Sequence, residues 1–311
     1  MHLRESVHHW LSRRVRVKRS LARGLDGTHR LARRAGLGRS YRLVTTSYHF
    51  SPPGWPAALQ LRAVVLADPH AGGSYVDAER VELIIDRTNA LRPDVVLLLG
   101  DYGASQLEGP AHRSAMRAFA GALGRIEAPL GSVAVLGNHD WWDDPDAQAS
   151  GQGPVIAEQE LTAAGVVVLE NTAVALSLGG HRFWIAGLGD QMARLGPPIT
   201  GVDDLPALTA QIPADEPAIL LAHEPDIFPQ VGDRYAVTLS GHTHAGQVKI
   251  AGRTPVVPSR FGSRYVYGHV VENGRHLVVS AGLGTSMIPV RLGTRPEVVE
   301  LVLGEDRAPH R

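Results

Sequence analysis

Eight short runs of β-branched and aliphatic residues punctuate the chain between residues 61 and 280, and five of them stop at a cluster of Asp, Asn or His. This recurrence limits the fold more than any other feature. The runs cover 61–67, 95–99, 133–136, 166–169, 183–186, 219–222, 237–240 and 277–280. They are too short for helices and almost continuously apolar, so they read as strands buried on both faces. Helical patterns separate the earlier ones. Within 76–91, Val81, Ile84, Thr88 and Leu91 share a face, with Ser74 as candidate cap, and 110–126 and 155–164 also suit helices. Strand–helix alternation followed by a strand-rich C-terminal half predicts an α/β sandwich.

The five clusters fall at the C-terminal ends of strands, where α/β sheets present their functional loops. In order they are Asp68-Pro69-His70, Gly100-Asp101-Tyr102, Gly137-Asn138-His139-Asp140, His223-Glu224-Pro225 and Gly241-His242-Thr243-His244. Any one of them is a common accident, since Gly-Asp pairs mark ordinary turns. Five in sequence, each behind a β-rich run, are not. Asp68, His70, Asp101, Asn138, His223, His242 and His244 together offer only nitrogen and oxygen donors. The chain has no cysteine, which excludes disulfides and thiolate sites and fits a reducing compartment. Such a donor set suits Mn, Fe, Zn or Ni. Seven ligands exceed the needs of one ion and match two ions sharing a carboxylate. Two ions about 3.5–4 Å apart form a clamp that activates a bridging water and neutralises phosphoryl oxygens.

Charge divides the chain unevenly. Residues 1–42 hold twelve Lys/Arg against two Asp/Glu, near +10, which leaves the remainder near −10 because the totals are 31 and 31. Leu3, Val7, Trp10, Leu11, Val17, Leu21 and Leu25 recur there at helical spacing between arginines, the pattern of a basic amphipathic helix. It suits either an anionic membrane surface, with Trp10 as anchor, or docking on the acidic body. No apolar stretch approaches the roughly 18–20 residues needed to span a bilayer. The expected organisation is a basic extension over 1–42, a linker with a first strand over 43–59, the main domain over 60–303 and a tail over 304–311. The expected setting is the cytoplasm, peripheral on the inner membrane face. The acidic body is a poor electrostatic footprint for nucleic acid.

The ordered clusters resemble those of the calcineurin-like metallophosphoesterases, over about residues 60–303. They are most similar to the YaeI/YkuE-like branch of bacterial phosphodiesterases. The strings that carry this are Leu221-Ala222-His223-Glu224-Pro225-Asp226, Ser240-Gly241-His242-Thr243-His244-Ala245-Gly246-Gln247, Tyr265-Val266-Tyr267-Gly268 and Gly282-Leu283-Gly284-Thr285-Ser286. The resemblance implies a four-layer α/β/β/α sandwich and two divalent ions. Asp68, His70 and His244 would hold one ion and Asn138, His223 and His242 the other, with Asp101 bridging. His139 would bind no metal and would stabilise or protonate the leaving oxygen. Attack by a bridging hydroxide on a phosphodiester or pyrophosphate is the implied reaction; some similar proteins cleave the pyrophosphate of UDP-2,3-diacylglucosamine. Protein phosphatases of the superfamily carry a second Asp after Gly-Asp and an Arg after Gly-Asn-His. Here Tyr102-Gly103-Ala104-Ser105 and Asp140-Trp141-Trp142 stand in those places. Without that extra cation a dianionic monoester is disfavoured relative to a diester.

Weaker signals bear on the substrate. Trp141 and Trp142 could wall an apolar or base-binding surface. Arg260 and Arg264 could approach a second phosphate, and the 282–289 loop, with Met287 and Ile288, could line an acyl site. The expected substrate is a phosphate-ester or pyrophosphate small molecule or lipid, with a lipid- or nucleotide-linked compound at the membrane surface as the specific candidate. The alternatives are a phosphomonoesterase or protein phosphatase, and a non-catalytic scaffold that keeps the fold.

Overall fold

The computed structural model describes residues 41–250, 253–286 and 288–304. The basic segment expected over 1–42 therefore lies outside the described residues apart from Tyr41 and Arg42, as do Met287 and the tail from 305 onward. The chain runs β1 (Val44–Phe50), β2 (Leu61–Leu66), α1 (Ala78–Ala90), β3 (Val95–Leu98), α2 (Gly109–Leu123), β4 (Ser132–Ala134), α3 (Asn138–Trp142), α4 (Pro145–Ser150), α5 (Ile156–Ala163), β5 (Val167–Val168), β6 (Thr172–Leu178) and β7 (His181–Gly187). It continues α6 (Leu205–Thr209), β8 (Ala218–Leu221), β9 (Val237–Ser240), β10 (Gly268–Glu272), β11 (Arg275–Val279) and β12 (Glu297–Leu303), with 3-10 turns at Pro225–Gln230 and His244–Gly246.

Successive strand side chains point to opposite faces, and here both faces are covered. In β2, Leu61, Ala63 and Val65 join the core shared by the two sheets, whereas Val64 and Leu66 face a second core with the helices. The same split separates Val95 and Leu97 from Val96 and Leu98 in β3. In β8, Ile219 and Leu221 enter the inter-sheet core and Ala218 and Leu220 face outward. The sheets have six strands each, in the orders β1-β12-β2-β3-β4-β5 and β10-β11-β9-β8-β7-β6. Helices α1, α2 and α5 cover the first sheet through Val81, Ile84, Phe119 and Leu161. The outer face of the second has a thinner cover: Leu208 of α6 with Ile227 and Phe228 of a 3-10 turn. The result is a four-layer α/β/β/α sandwich.

Strands β2, β3, β4 and β5 are mutually parallel, as are β7, β8, β9 and β11. Their C-terminal ends therefore gather at one rim of the sandwich. Two expectations change in detail. Asp77, not Ser74, caps α1 by accepting from the Arg80 amide at 3.0 Å. Of the run 166–169, only Val167–Val168 pairs as strand.

Candidate metal centre

Three site loops leave neighbouring strands of the first sheet and two leave neighbouring strands of the second. Asp68 and His70 follow β2, Asp101 follows β3, and Asn138 and His139 open α3 just after β4. His223 follows β8, and His242 and His244 follow β9. All eight side chains are buried. The structure thus brings together all seven sequence-predicted ligands and His139.

Asp101 lies at the middle. Its Oδ2 is 3.5 Å from His70 Nε2 and 3.4 Å from His223 Nε2, while Oδ1 accepts the His139 amide at 2.8 Å. On one side, His244 Nε2 is 3.3 Å from His70 Nε2 and 3.7 Å from Asp68 Oδ1. On the other, His242 Nδ1 is 3.0 Å from Asn138 Oδ1. Three groups have donor atoms within 4.8 Å of one another: Asp68, His70 and His244; Asp68, Asp101 and His223; and His223, Glu224 and His242.

Small residues let these loops approach. A Cβ on Gly137 would fall 2.5 Å from Asp101 Oδ1 and 2.7 Å from His223 Cε1. One on Gly241 would fall 2.5 Å from Asp68 Oδ2. Neither position tolerates alanine without moving a donor.

The electrostatics fit divalent cations. Burial pushes the Asp68 carboxyl up to about 7, with the charge of Asp101 adding to the rise against His223. Burial also works against charge on Asp101, yet His223, then His139 and His70, hold it well below the usual carboxylate range. The imidazoles of His70 and His244 are pushed down by burial, His70 to about 4. His223 loses to burial but is raised well above its ordinary value by Asp101. Imidazoles kept neutral by burial at His70, His242 and His244, packed carboxylates and the unpartnered buried His242 Nε2 are what a cation site requires before loading.

His139 is held separately. Its Nδ1 lies 2.7 Å from Ser105 Oγ and 3.3 Å from Asp143 Oδ2, and its Nε2 is 3.4 Å from Ser286 Oγ.

Four supporting residues carried no role in the sequence reading. Asp140 accepts the amides of Asp101 and Gly137 on Oδ2 (2.9 and 2.8 Å) and that of Tyr102 on Oδ1 (3.0 Å). It thereby ties the loop after β3 to the turn after β4. Glu224 takes Gln191 on Oε2 and leaves Oε1 unpartnered beside His223 and His242. Asp190, whose Gly189-Asp190 pair also follows a β-rich run, is buried behind it, and burial then Glu224 push its carboxyl well up. The fully buried Arg291 donates to the carbonyls of Ala281, Gly282 and Gly284 and lies 3.2 Å from His244 Nδ1.

The candidate substrate residues divide. The rim opens into a cleft of about 1160 Å³ that Trp142 and Arg260 line, together with Asp101, Asn138, His139, His242 and His244. Trp141 turns into the helix-side core at 1% exposure. Arg264 stacks on Tyr265 and pairs with Glu272 at 2.8 Å, and it is not among the cleft residues.

The sequence model of the calcineurin-like phosphoesterase family matches residues 61–246, and the chain belongs to that family of metallophosphoesterases. Among its relatives, the Bacillus subtilis metallophosphoesterase YkuE is 30% identical over 245 residues, 78% of each chain. The Escherichia coli phosphodiesterase YaeI is 28% identical over 296 residues, 88% of this chain and 99% of that one. A zebrafish (Danio rerio) transmembrane protein with a metallophosphoesterase domain is 32% identical over 252 residues, 78% of this chain and 53% of its own length. This chain therefore spans about half of that relative. Among the described residues, no helix is long and apolar enough to cross a membrane.

Proposed function

We propose that this protein is a dinuclear hydrolase of phosphodiester or pyrophosphate bonds. The observation that carries the reading is the position of Asp101, whose Oδ2 lies within 3.5 Å of a histidine from each ligand group. Asp68, His70 and His244 would hold one ion, Asn138, His223 and His242 the other, and Asp101 both. Mn, Fe, Zn or Ni at such positions would supply a nucleophile by lowering the pKa of a shared water, and would neutralise phosphoryl charge.

The remaining chemistry belongs to the chain. His139 Nδ1 faces the Asp143 carboxylate and the Ser105 hydroxyl, which hold the ring in place from behind. Its Nε2 then serves as donor to the leaving oxygen. Asp101 Oδ1, by accepting the His139 amide, fixes that ring relative to the bridging position.

A diester preference is supported by charge. Among the described cleft residues the one Lys or Arg is Arg260, and it is engaged by Asp226. That leaves no spare cation for a dianionic monoester. The name phosphodiesterase carried by YaeI agrees. A lipid- or nucleotide-linked substrate met at the inner membrane face is part of this reading, supported by the twelve Lys/Arg of residues 1–42.

The test is hydrolysis by Mn-loaded protein of bis-p-nitrophenyl phosphate against p-nitrophenyl phosphate. A higher kcat/KM for the diester is expected, and a strong monoester bias would reject the assignment. His139→Ala should lower kcat by about 10²–10⁴ with metal content retained.

A further inference from the structure

We infer that the cleft beside the metal centre binds an alkyl or acyl chain, so that the substrate is a lipid phosphoester and not a nucleotide. This rests on the phosphoesterase reading of the site and deepens it.

The cleft is larger than a phosphate needs. At about 1160 Å³ it matches or exceeds the roughly 300–1,000 Å³ of sites that engulf whole small molecules. Its floor is the donor cluster. Beyond that floor the walls are Trp142, Met192, Ile199, Val248, Val256 and Ile288, drawn from four separate segments of the chain. The Trp142 Nε1–H is already given to the Met192 carbonyl at 2.6 Å, so the indole has only apolar surface left to offer. Val256 is 75% exposed and Ile199 36%. Aliphatic side chains left in solvent within one continuous concavity are unfavourable unless a ligand covers them. The occupant must also reach the donor cluster, because the apolar walls and the ligands line a single space.

Nucleotides are disfavoured by the polar groups in the same cleft. A nucleoside diphosphate brings a second phosphate, which needs a cation. Arg260, the one candidate among the described lining residues, already donates to the Asp226 carbonyl at 3.0 Å and lies 3.7 Å from its carboxylate. Glu224 and Asp226 add acidic groups to the lining. A ligand with one phosphate at the ions and an uncharged chain along the walls satisfies both halves.

Calorimetric titration of the full chain, loaded with Mn²⁺, with alkylphosphonates from methyl to octyl tests this without requiring turnover. Kd should tighten about 2- to 4-fold per added methylene, roughly 60- to 4,000-fold over the six methylenes from ethyl to octyl. In Ile288→Asp and Val256→Asp the slope with chain length should fall while methylphosphonate still binds. A flat series with methylphosphonate bound would overturn the chain site, as would an unchanged slope in both variants or UDP binding tighter than octylphosphonate. Failure of methylphosphonate itself to bind, together with no hydrolysis of bis-p-nitrophenyl phosphate, would instead overturn the phosphoesterase reading.

Discussion

Replacing Asp140 tests whether the site is assembled by a carboxylate that touches no substrate. Its two oxygens accept three buried amides, from Asp101, Tyr102 and Gly137, at 2.8–3.0 Å. Asp140→Ala strands all three donors. A buried donor left without a partner costs about 1–3 kcal/mol, and water entering the vacated space relieves part of that. The expected loss is about 3–6 kcal/mol, a large share of the roughly 5–15 kcal/mol that holds a domain together. Asp140→Asn is milder. One amide oxygen can still serve Asp101 and Gly137, which share Oδ2, but its NH2 then meets the Tyr102 amide donor to donor. That single mismatch costs about 1–3 kcal/mol. Urea unfolding of metal-stripped protein, followed by tryptophan fluorescence, reads both values, provided m is unchanged. It should be run at pH 8, because burial and then the charge of Asp101 push the Asp140 carboxyl up to about 7. An Asp140→Ala loss below about 1 kcal/mol, or an Asn variant no better than Ala, would refute the bracing role.

Two further outcomes are expected. Glu224→Gln should weaken one of the two ions about 10-fold or more and spare the other, because Glu224 clusters with His223 and His242 alone; chelator competition showing equal loss at both positions would contradict this. Glu170 is pushed up to about 7 by burial and then by Glu158, so its ionisation removes stability as pH rises from its unfolded value to about 7. Glu170→Gln should therefore gain in Tm relative to the parent at pH 8 and show no gain at pH 4, and a pH-independent difference would disprove the assignment.

The parts of the molecule that were legible in sequence are those governed by local pattern. Apolar runs such as 95–99 and 219–222 announce strands because both faces are buried. The ligands follow because chain ends of parallel strands share a rim. Strand β12 was hidden by its charges. Glu297 and Glu300 interrupt the apolar run, yet in the fold Glu297 takes the Ala281 amide at 2.8 Å and Tyr267 at 2.9 Å, and Glu300 takes Arg62 at 2.6 Å. These partners come from distant segments, so local polarity misstates burial. The two tryptophans were indistinguishable for a related reason. Consecutive helix residues are separated by about 100°, and only the position of α3 decides that Trp141 enters the core while Trp142 faces the cleft. Arg291 was invisible because its acceptors are carbonyls of a loop that exists only after folding.

The backbone of the site shows why such partners are needed. Asp68, His70, Asp101, His242 and His244 all have positive φ, between 42° and 65°. A non-glycine residue in that region costs on the order of 1–3 kcal/mol, so five of them rival the stability of the whole domain. Such conformations persist only when several contacts enforce each one. Here the strained residues enforce one another. The His242 amide donates to both oxygens of Asp68 at 2.9 and 3.1 Å, the His70 amide to the Asp101 carbonyl at 3.0 Å, and the Asp68 amide to the Gly100 carbonyl at 3.1 Å. On the dinuclear reading Asp68 would be donor and brace at once: it would offer oxygen to one ion while its carboxylate holds in place a histidine assigned to the other. The two ligand sets are coupled through Asp68 as well as through Asp101, so a change at Asp68 reaches the second set, unlike one at Glu224.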